Sequence, residues 1–145
     1  MAERKELALI LCAGEYERVH YAFVMAAAAA ATARPVTIFF TMSALETLRA
    51  PGTDGEPGWR KLAPGADQIP PAQTDAAHTQ SGIATLEELI SACAEFGTRF
   101  LVCDMGLKAQ AMTTADLRDD LDLEISGMVG FLSDVESADA RIVFI

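Results

Sequence analysis

Residues 100–106 (FLVCDMG) place a thiol at the end of a predicted strand. Strand-forming residues lead into Cys103, and Asp104, Met105 and Gly106 follow it. In open parallel sheets, ligands and reacting groups collect at the carboxyl ends of the strands, because loops leave the sheet there. Free backbone N–H groups in a glycine-containing loop favour the thiolate, which is the nucleophilic form of cysteine. Cys103 is therefore the candidate reacting residue.

Two interpretations of Cys103 are open at this point. Free cysteine is often fully buried, so Cys103 also fits as an inert core residue at a strand end. The carboxylate of Asp104 opposes thiolate formation, whereas a nearby Lys108 ammonium favours it. Activation therefore depends on whether Asp104 turns outward and whether Lys108 approaches the sulfur.

The two other thiols differ in their surroundings. Cys93 lies on the apolar stripe of a predicted helix, so we predict an inert core residue. Cys12 lies near the end of the first predicted strand, and core burial is favoured there too. If the two strands lie near each other, Cys12 faces the same crevice as Cys103.

Metal and cofactor sites are not indicated by the remaining residues. His20 is offset from the apolar stripe of its helix, so we predict that it is exposed, and His78 lies in an irregular segment. The close Cys and His spacings of a structural zinc site are missing. Neither phosphate-binding glycine motif follows the first strand, and no Ser-His-Asp nucleophile elbow is visible. We expect no metal and no cofactor.

Length and charge limit the class of protein. A chain of 145 residues with 51% hydrophobic residues is the size of one globular domain. A net charge of -10 disfavours direct binding to nucleic acid or anionic lipid. Three unevenly spaced cysteines suit a reducing cytoplasm better than a disulfide framework. We expect no signal peptide in residues 1–6 and no membrane span in the alanine-rich residues 21–33.

Hydrophobic patterning divides the chain into strands and helices. Continuous apolar runs such as ELALILCA predict buried strands, and apolar residues repeating at three and four predict helices. Predicted strands cover residues 6–13, 36–41, 98–103, 121–125 and 141–145, and predicted helices cover residues 16–33, 43–48, 85–97 and 127–137. Thr85 and Glu88 have the spacing of a capping box, and Gly97 ends the same helix.

Residues 50–81 form a different kind of segment. Five of the six prolines and four of the ten glycines fall between Pro51 and Pro71, without a sustained apolar period. We predict a loop or insertion, either a functional lid or a poorly ordered segment. The alternation of strands and helices around it predicts a single α/β domain over residues 1–145. Its architecture is a three-layer α/β/α sandwich with a mostly parallel sheet.

Taken together, these segments resemble the DsrE/DsrF/DsrH-like family, which includes small sulfur-relay proteins of sulfur oxidation and tRNA thiolation. The resemblance spans nearly the whole length. It lies in PVTIFFTMSALETL, SGIATLEELISACAEFGTRFLVCDMGL and LEISGMVGFLSDVESADARIVFI. In a DsrE-like branch, a cysteine ends the strand in a C-x-M setting, which Cys103-Asp104-Met105 matches.

The resemblance implies a five-stranded, mostly parallel sheet and assembly into homo-trimers or hexamers. It also implies that Cys103 carries a persulfide and exchanges sulfur with donor and acceptor proteins, as a sulfur carrier or sulfurtransferase. We expect the amides of residues 104–107, including Gly106, to stabilise the thiolate, and Cys12 to be a possible resolving thiol. The alternative is a non-enzymatic oligomeric scaffold or small-ligand-binding protein of the same fold.

Overall fold

The computed structural model describes residues 4–145, and its centre is a sheet of five strands. Residues 1–3, part of the segment for which no signal peptide is predicted, lie outside this range. The strands are β1 (Leu7–Leu11), β2 (Val36–Phe40), β3 (Arg99–Cys103), β4 (Leu123–Ser126) and β5 (Arg141–Phe144). The helices are α1 (Tyr16–Ala31), α2 (Pro71–Gln80), α3 (Leu86–Glu95), α4 (Asp104–Ala109) and α5 (Met128–Ser137). Short 3-10 helices lie at Met42–Leu48, Gly58–Lys61 and Thr114–Asp116.

The strands lie in the order β4-β3-β2-β1-β5, and every neighbouring pair is parallel. Strands β1 and β2 are buried along their whole length, which explains why their sequences are continuous apolar runs. The carboxyl ends of parallel strands share one edge of the sheet, so the residues after β1, β2 and β3 are neighbours there. The predicted α/β fold with a five-stranded parallel sheet is confirmed.

The two faces of the sheet are covered unequally. On one face, α1, α3 and the first 3-10 helix pack over a large apolar core. On the other face, α5 is the helix in the core cluster of the described residues, through Phe131 and Val135. The Phe131 ring packs against Phe39 of the central strand β2, with centroids 4.8 Å apart. Helix α5 therefore covers its face of the sheet with two buried side chains.

The segment 50–81 is more ordered than predicted, because it contains α2 and a 3-10 turn. Pro71 occupies the first turn of α2, where its missing N–H costs no hydrogen bond. The sequence of α2 (PAQTDAAHTQ) has no apolar stripe, so periodicity did not reveal it. The prediction of a loop throughout this segment was wrong.

The insertion is attached to the domain through Trp59, which is buried. Its indole N–H donates to Glu87 Oε1 at 2.8 Å, and Arg118 donates to both carboxylate oxygens of Glu87, at 2.8 and 3.1 Å. Hydrogen bonds to Asp120, and then to Glu87, raise the pKa of Arg118 further above its usual range. This network fixes the insertion against α3.

His20 was predicted to be exposed, and that prediction was wrong. Its side chain is buried, and its ring centroid lies 4.3 Å from that of His78. Helix α2 places His78 there, so the burial depends on the element that the sequence patterning missed.

Local signals at the two ends of α3 were correct. Thr85 and Glu88 form the predicted capping box of α3, and Gly97 after it has a φ of +83°. Cys93 is fully buried on α3, and burial raises its pKa to about 11.

Within residues 4–145, no helix has the length and hydropathy that crossing a bilayer requires.

Candidate functional site

Cys103 is the last residue of β3 and the N-cap residue of α4. A loop was predicted after the strand, but the chain enters α4 directly at Asp104, so that prediction was wrong. The backbone N–H of Gly106 donates to Cys103 Sγ at 3.3 Å. The sulfur therefore takes the place of the side-chain oxygen that usually caps a helix.

Gly106 is the residue that brings α4 close to the sheet edge. A Cβ atom built there would lie 2.8 Å from the backbone nitrogen of Met42 and 3.0 Å from Thr41 Oγ1. Real Cβ atoms do not approach backbone nitrogen so closely, so a side chain would push α4 away from the 3-10 helix. The Gly106 amide reaches the sulfur because the residue has no side chain.

The charged neighbours of Cys103 point away from it. Asp104 turns outward and pairs with Lys108, with Nζ 3.3 Å from Oδ2 and both side chains exposed. Met105 is also exposed. Because Lys108 pairs with Asp104, the hydrogen-bond donor aimed at the sulfur is the Gly106 amide.

The sulfur of Cys103 is enclosed. The residue is 3% exposed and belongs to the apolar cluster beneath α5, together with Leu101, Phe131 and Val135. In register, Cys103 pairs with Ser126, two residues before α5 begins. The first turns of α5 therefore lie over the site, and the thiol has one polar contact in an otherwise apolar environment.

Cys12 is partly exposed at the same edge of the sheet. Leu11 pairs with Phe40 and Phe40 pairs with Val102, so Cys12 and Cys103 lie two strand spacings apart, about 10 Å. A disulfide needs Cα atoms within about 7 Å. A direct disulfide between Cys12 and Cys103 therefore requires the backbone at this edge of the sheet to move, so that the two residues approach across the end of β2.

A second group of polar side chains lies on the opposite face of the sheet and was missed by sequence reasoning. The hydroxyl of Tyr16 donates to Asp75 Oδ1 at 2.5 Å and lies 3.2 Å from His78 Nδ1. The imidazole of His20 donates from Nε2 to the carbonyl of Ala84 at 2.9 Å. Burial, and then the hydrogen bond to Asp75, raise the pKa of Tyr16 far above its usual value.

The sequence contains a weak signal for this second group of polar side chains. Tyr16 and His20 are four residues apart on α1, and Asp75 and His78 are three apart on α2, so each pair shares a helix face. Because the sequence pattern did not predict α2, it gave no reason to place Asp75 and His78 on one helix face. Among the described residues, no three His, Cys, Asp or Glu side chains converge as ligands for a metal ion.

The fold and the site define a class: small α/β proteins with a parallel sheet and a thiol at the carboxyl end of an inner strand, capping the next helix. The profile of the DsrE/DsrF-like family matches residues 5–144, and the chain belongs to that family. This confirms the family that the sequence motifs indicated.

Two protein sequences and one solved structure extend the comparison. The chain is 26% identical over 157 residues to the uncharacterized protein YrkE of Bacillus subtilis (strain 168), covering 97% of each. It is 27% identical over 147 residues to the sulfur carrier protein DsrE2 of Allochromatium vinosum, covering 89% of this chain and 91% of that one. A protein of unknown function, MTH1491 from Methanobacterium thermoautotrophicum, superposes with a TM-score of 0.61 at 14% identity, covering 97% and 99%. That structural likeness shows the fold alone. The family and the named sulfur carrier support a sulfur-relay family role.

Proposed function

We propose that this protein is a sulfur carrier that holds a persulfide on Cys103 and passes the sulfur to the thiol of a partner protein. The observation that carries the proposal is the Gly106 amide directed at Cys103 Sγ at 3.3 Å, in a chain of the DsrE/DsrF-like family. A hydrogen-bond donor directed at a cysteine Sγ stabilises the thiolate, which is the form that attacks the donor and leaves when the sulfur is passed on. The similarity to a protein named as a sulfur carrier supports the same role.

Two exchange steps make up the proposed relay. The Cys103 thiolate attacks the sulfane sulfur of a donor persulfide or polysulfide, so that a new S–S bond forms and the donor leaves as a thiolate. An acceptor thiolate then attacks the outer sulfur, that S–S bond breaks, and the Cys103 thiolate returns. The net transfer is one sulfane sulfur, and no external oxidant or reductant is consumed. Free thiols at both ends of the exchange suit a cytoplasmic setting.

Loading requires that the thiol become accessible. Cys103 is 3% exposed beneath α5, and two buried side chains, Phe131 and Val135, hold that helix to the sheet. We propose that α5 moves away from the strand end when a donor or acceptor docks. A small buried contact area makes such local opening less costly than unfolding of the domain.

The test is mass spectrometry of the intact protein after incubation with polysulfide. We expect a gain of about 32 Da per bound sulfur atom, and we expect the gain to be lost in Cys103→Ser. Cys12→Ser and Cys93→Ser are the matched controls, because they remove a partly exposed and a fully buried thiol. Sulfur loading that persists in Cys103→Ser and disappears in Cys12→Ser would show that Cys12, and not Cys103, carries the sulfur. A wild-type protein that gains no sulfur, beside a carrier that loads, would rule out the relay.

The alternative is a non-enzymatic scaffold, and the enclosure of Cys103 favours it. In that case the sulfur is a core atom, and the Gly106 contact only caps α4. The loading experiment separates the two functions, because a scaffold takes up no sulfur at Cys103 while native.

We further propose that the chain forms a homo-oligomer through the face that carries α5. Ile10 pairs with Phe144 in register, so Phe144 lies on the same face as Cys103, and it is 70% exposed. Val129 on α5 is 86% exposed. Contiguous exposed apolar side chains of this kind mark interaction surfaces. The set on this face comprises Met128, Val129, Leu132, Ile142 and Phe144.

Light scattering after size exclusion measures the assembly. We expect a mass that is a multiple of 15.5 kDa, with a trimer or hexamer implied by the family resemblance. Val129→Glu should lower that mass, because a buried unpaired charge is costly at an apolar interface. Phe96→Glu, an exposed aromatic after α3, is the control that should leave the mass unchanged. A wild-type monomer at high concentration would contradict the proposal.

A further inference from the structure

A cavity of about 460 Å³ opens between α1 and α2, on the face of the sheet opposite Cys103. Its volume is in the range of small-molecule sites. Apolar walls come from Val24, Ile69 and Ile83, and the two histidines lie beside them. The proposed sulfur relay uses none of these residues.

The hydrogen bonds in the cavity wall fix the tautomer of His78. The Tyr16 hydroxyl has one proton, and the 2.5 Å contact with Asp75 Oδ1 takes it. The contact of 3.2 Å between Tyr16 and His78 Nδ1 must then use a proton on Nδ1. The other ring nitrogen of His78, Nε2, is left as a hydrogen-bond acceptor, and among the described residues it has no protein donor.

His20 has the opposite tautomer. A carbonyl oxygen only accepts, so the 2.9 Å contact with Ala84 requires a proton on His20 Nε2. The backbone N–H of Leu86 donates to Asp75 Oδ1 at 2.9 Å, and this hydrogen bond fixes the position of the Asp75 carboxylate. Tyr16, Asp75 and His78 therefore form one hydrogen-bonded group, and the His20 ring packs against His78 with centroids 4.3 Å apart.

The charges around the cavity select the sign of a ligand. Two carboxylates, Glu17 and Asp67, line it, and no Lys or Arg is among the described residues that do. Tyr21, which is exposed, adds an aromatic ring, and aromatic rings attract cations through their faces. An anion would be repelled by the carboxylates of Glu17 and Asp67, whereas a cation would be attracted by them.

We propose that this cavity binds a small primary ammonium compound with an apolar body. The ammonium group donates to His78 Nε2 and lies near Glu17 and Asp67, and the apolar body packs against Val24, Ile69 and Ile83. An ammonium group has three donors and no acceptor, which matches this set of groups. The site is separate from the relay and does not depend on it.

The protonation state of His78 agrees with this assignment. Burial, and then the nearby His20, lower the pKa of His78 below its ordinary value of 6.5, so the ring is neutral at pH 7. The groups around it are Tyr16, Glu17 and His20 from α1, with Asp67 and Asp75 from the α2 side. A neutral ring is an acceptor and does not repel a cation.

The test uses phenethylammonium as the probe and the wild-type protein. Trp59 is the sole tryptophan, and its ring centroid lies 5.7 Å from that of Tyr16, so its fluorescence reports on the cavity. We expect saturable binding with a Kd on the order of 1 mM, as a ligand of this size allows. The anion 3-phenylpropionate, which has a similar body, should bind at least about tenfold more weakly because of charge repulsion. Equal binding of the two probes, or no binding at roughly 10 mM, would overturn the proposal.

Variants and pH locate the bound cation. His78→Phe keeps a ring and removes the acceptor, so it should weaken binding by about tenfold, the effect of a lost charge-assisted hydrogen bond. Glu17→Gln should weaken binding by a smaller factor. Glu95→Gln, which changes the exposed last residue of α3, should have no effect. Affinity in the wild type should fall as the pH drops below 6.5, because a protonated His78 repels the probe. Affinity independent of both His78 and pH would contradict the assignment.

A measurement without substitutions tests the network itself. The chain has two histidines, and both are in this cluster, so nitrogen-15 NMR of the imidazoles resolves them directly. We expect the Nδ1–H tautomer for His78 and the Nε2–H tautomer for His20 at pH 7.5, and a shift of the His78 Nε2 signal on addition of phenethylammonium. The same tautomer in both rings would remove the basis of the proposal.

Discussion

Replacing Phe131 by alanine is expected to raise the rate at which Cys103 is alkylated by about two orders of magnitude. Phe131 is fully buried and packs on Phe39 with ring centroids 4.8 Å apart. It belongs to the cluster that encloses Cys103. Loss of a buried phenylalanine side chain costs about 3–5 kcal/mol. If α5 must leave the sheet before a reagent reaches the sulfur, that cost appears as a larger population of the open state.

The expected change in the alkylation rate follows from the free energy that Phe131 contributes to the packing of α5. A change of about 1.4 kcal/mol in local stability shifts an equilibrium tenfold, so about 3 kcal/mol shifts it by about two powers of ten. Val135 remains to hold the helix, and the core on the other face is untouched. We therefore expect the variant to fold, with the same circular dichroism spectrum and a lower denaturation midpoint.

Cys93 provides an internal control for this experiment. It is a fully buried residue of α3 in the core on the opposite face of the sheet, so movement of α5 does not expose it. Ser133→Ala, an exposed position of α5 outside the apolar set proposed for assembly, is the matched variant and should leave the Cys103 rate within a few-fold of wild type. Equal acceleration at Cys93 and Cys103 would mean global unfolding. An unchanged Cys103 rate in the folded Phe131→Ala protein would exclude α5 as the cover of the thiol.

Substituting alanine for Gly106 should lower the free energy of unfolding by about 2–3 kcal/mol and reduce sulfur loading at Cys103. The new Cβ would lie 2.8 Å from the Met42 nitrogen, so α4 must shift away from the 3-10 helix. That shift lengthens the contact between the Gly106 N–H and Sγ, which is 3.3 Å in the native protein. Denaturant unfolding measures the first effect, and the polysulfide mass assay measures the second.

Gly130→Ala is the control for Gly106→Ala, because it makes the same chemical change inside another helix. A Cβ at Gly130 meets Ser126 Oγ at 3.5 Å, an ordinary contact. Alanine in a helix interior is favoured over glycine by about 0.5–1 kcal/mol, so this variant should be more stable than wild type. Equal stability changes in the two variants would contradict the prediction that a side chain at position 106 pushes α4 away from Met42.

Several features of the protein were predictable because their causes are local in sequence. The apolar runs that became β1 and β2 indicate burial on both faces wherever they lie. The Thr85 and Glu88 capping box needs no more than one helix turn to form. The position of Cys103 at a strand end followed from the same local pattern, since strand character stops there. These signals were sufficient to predict the α/β fold.

Other features depended on contacts between distant segments, and the sequence pattern did not reveal them. Helix α2 has no apolar stripe, because its side chains in this region make polar contacts, such as that of Asp75 with Tyr16, 59 residues away. The burial of His20 depends on the same helix. The start of α4 at Asp104 depends on the absence of a side chain at Gly106, which lets the helix pack on Met42.

The sequence by itself therefore determined the order of the five strands along the chain, the class of fold and the place of the thiol at a strand end. Hydrophobic periodicity and helix capping act over a few residues, so one sequence is enough to read them. The tertiary structure alone decided that α5 covers Cys103, that Cys12 lies two strands away, and that two histidines share a cavity wall. Those outcomes depend on the order of the strands in the sheet and on packing between residues far apart in the chain. A pattern that extends over a few residues does not specify either of these.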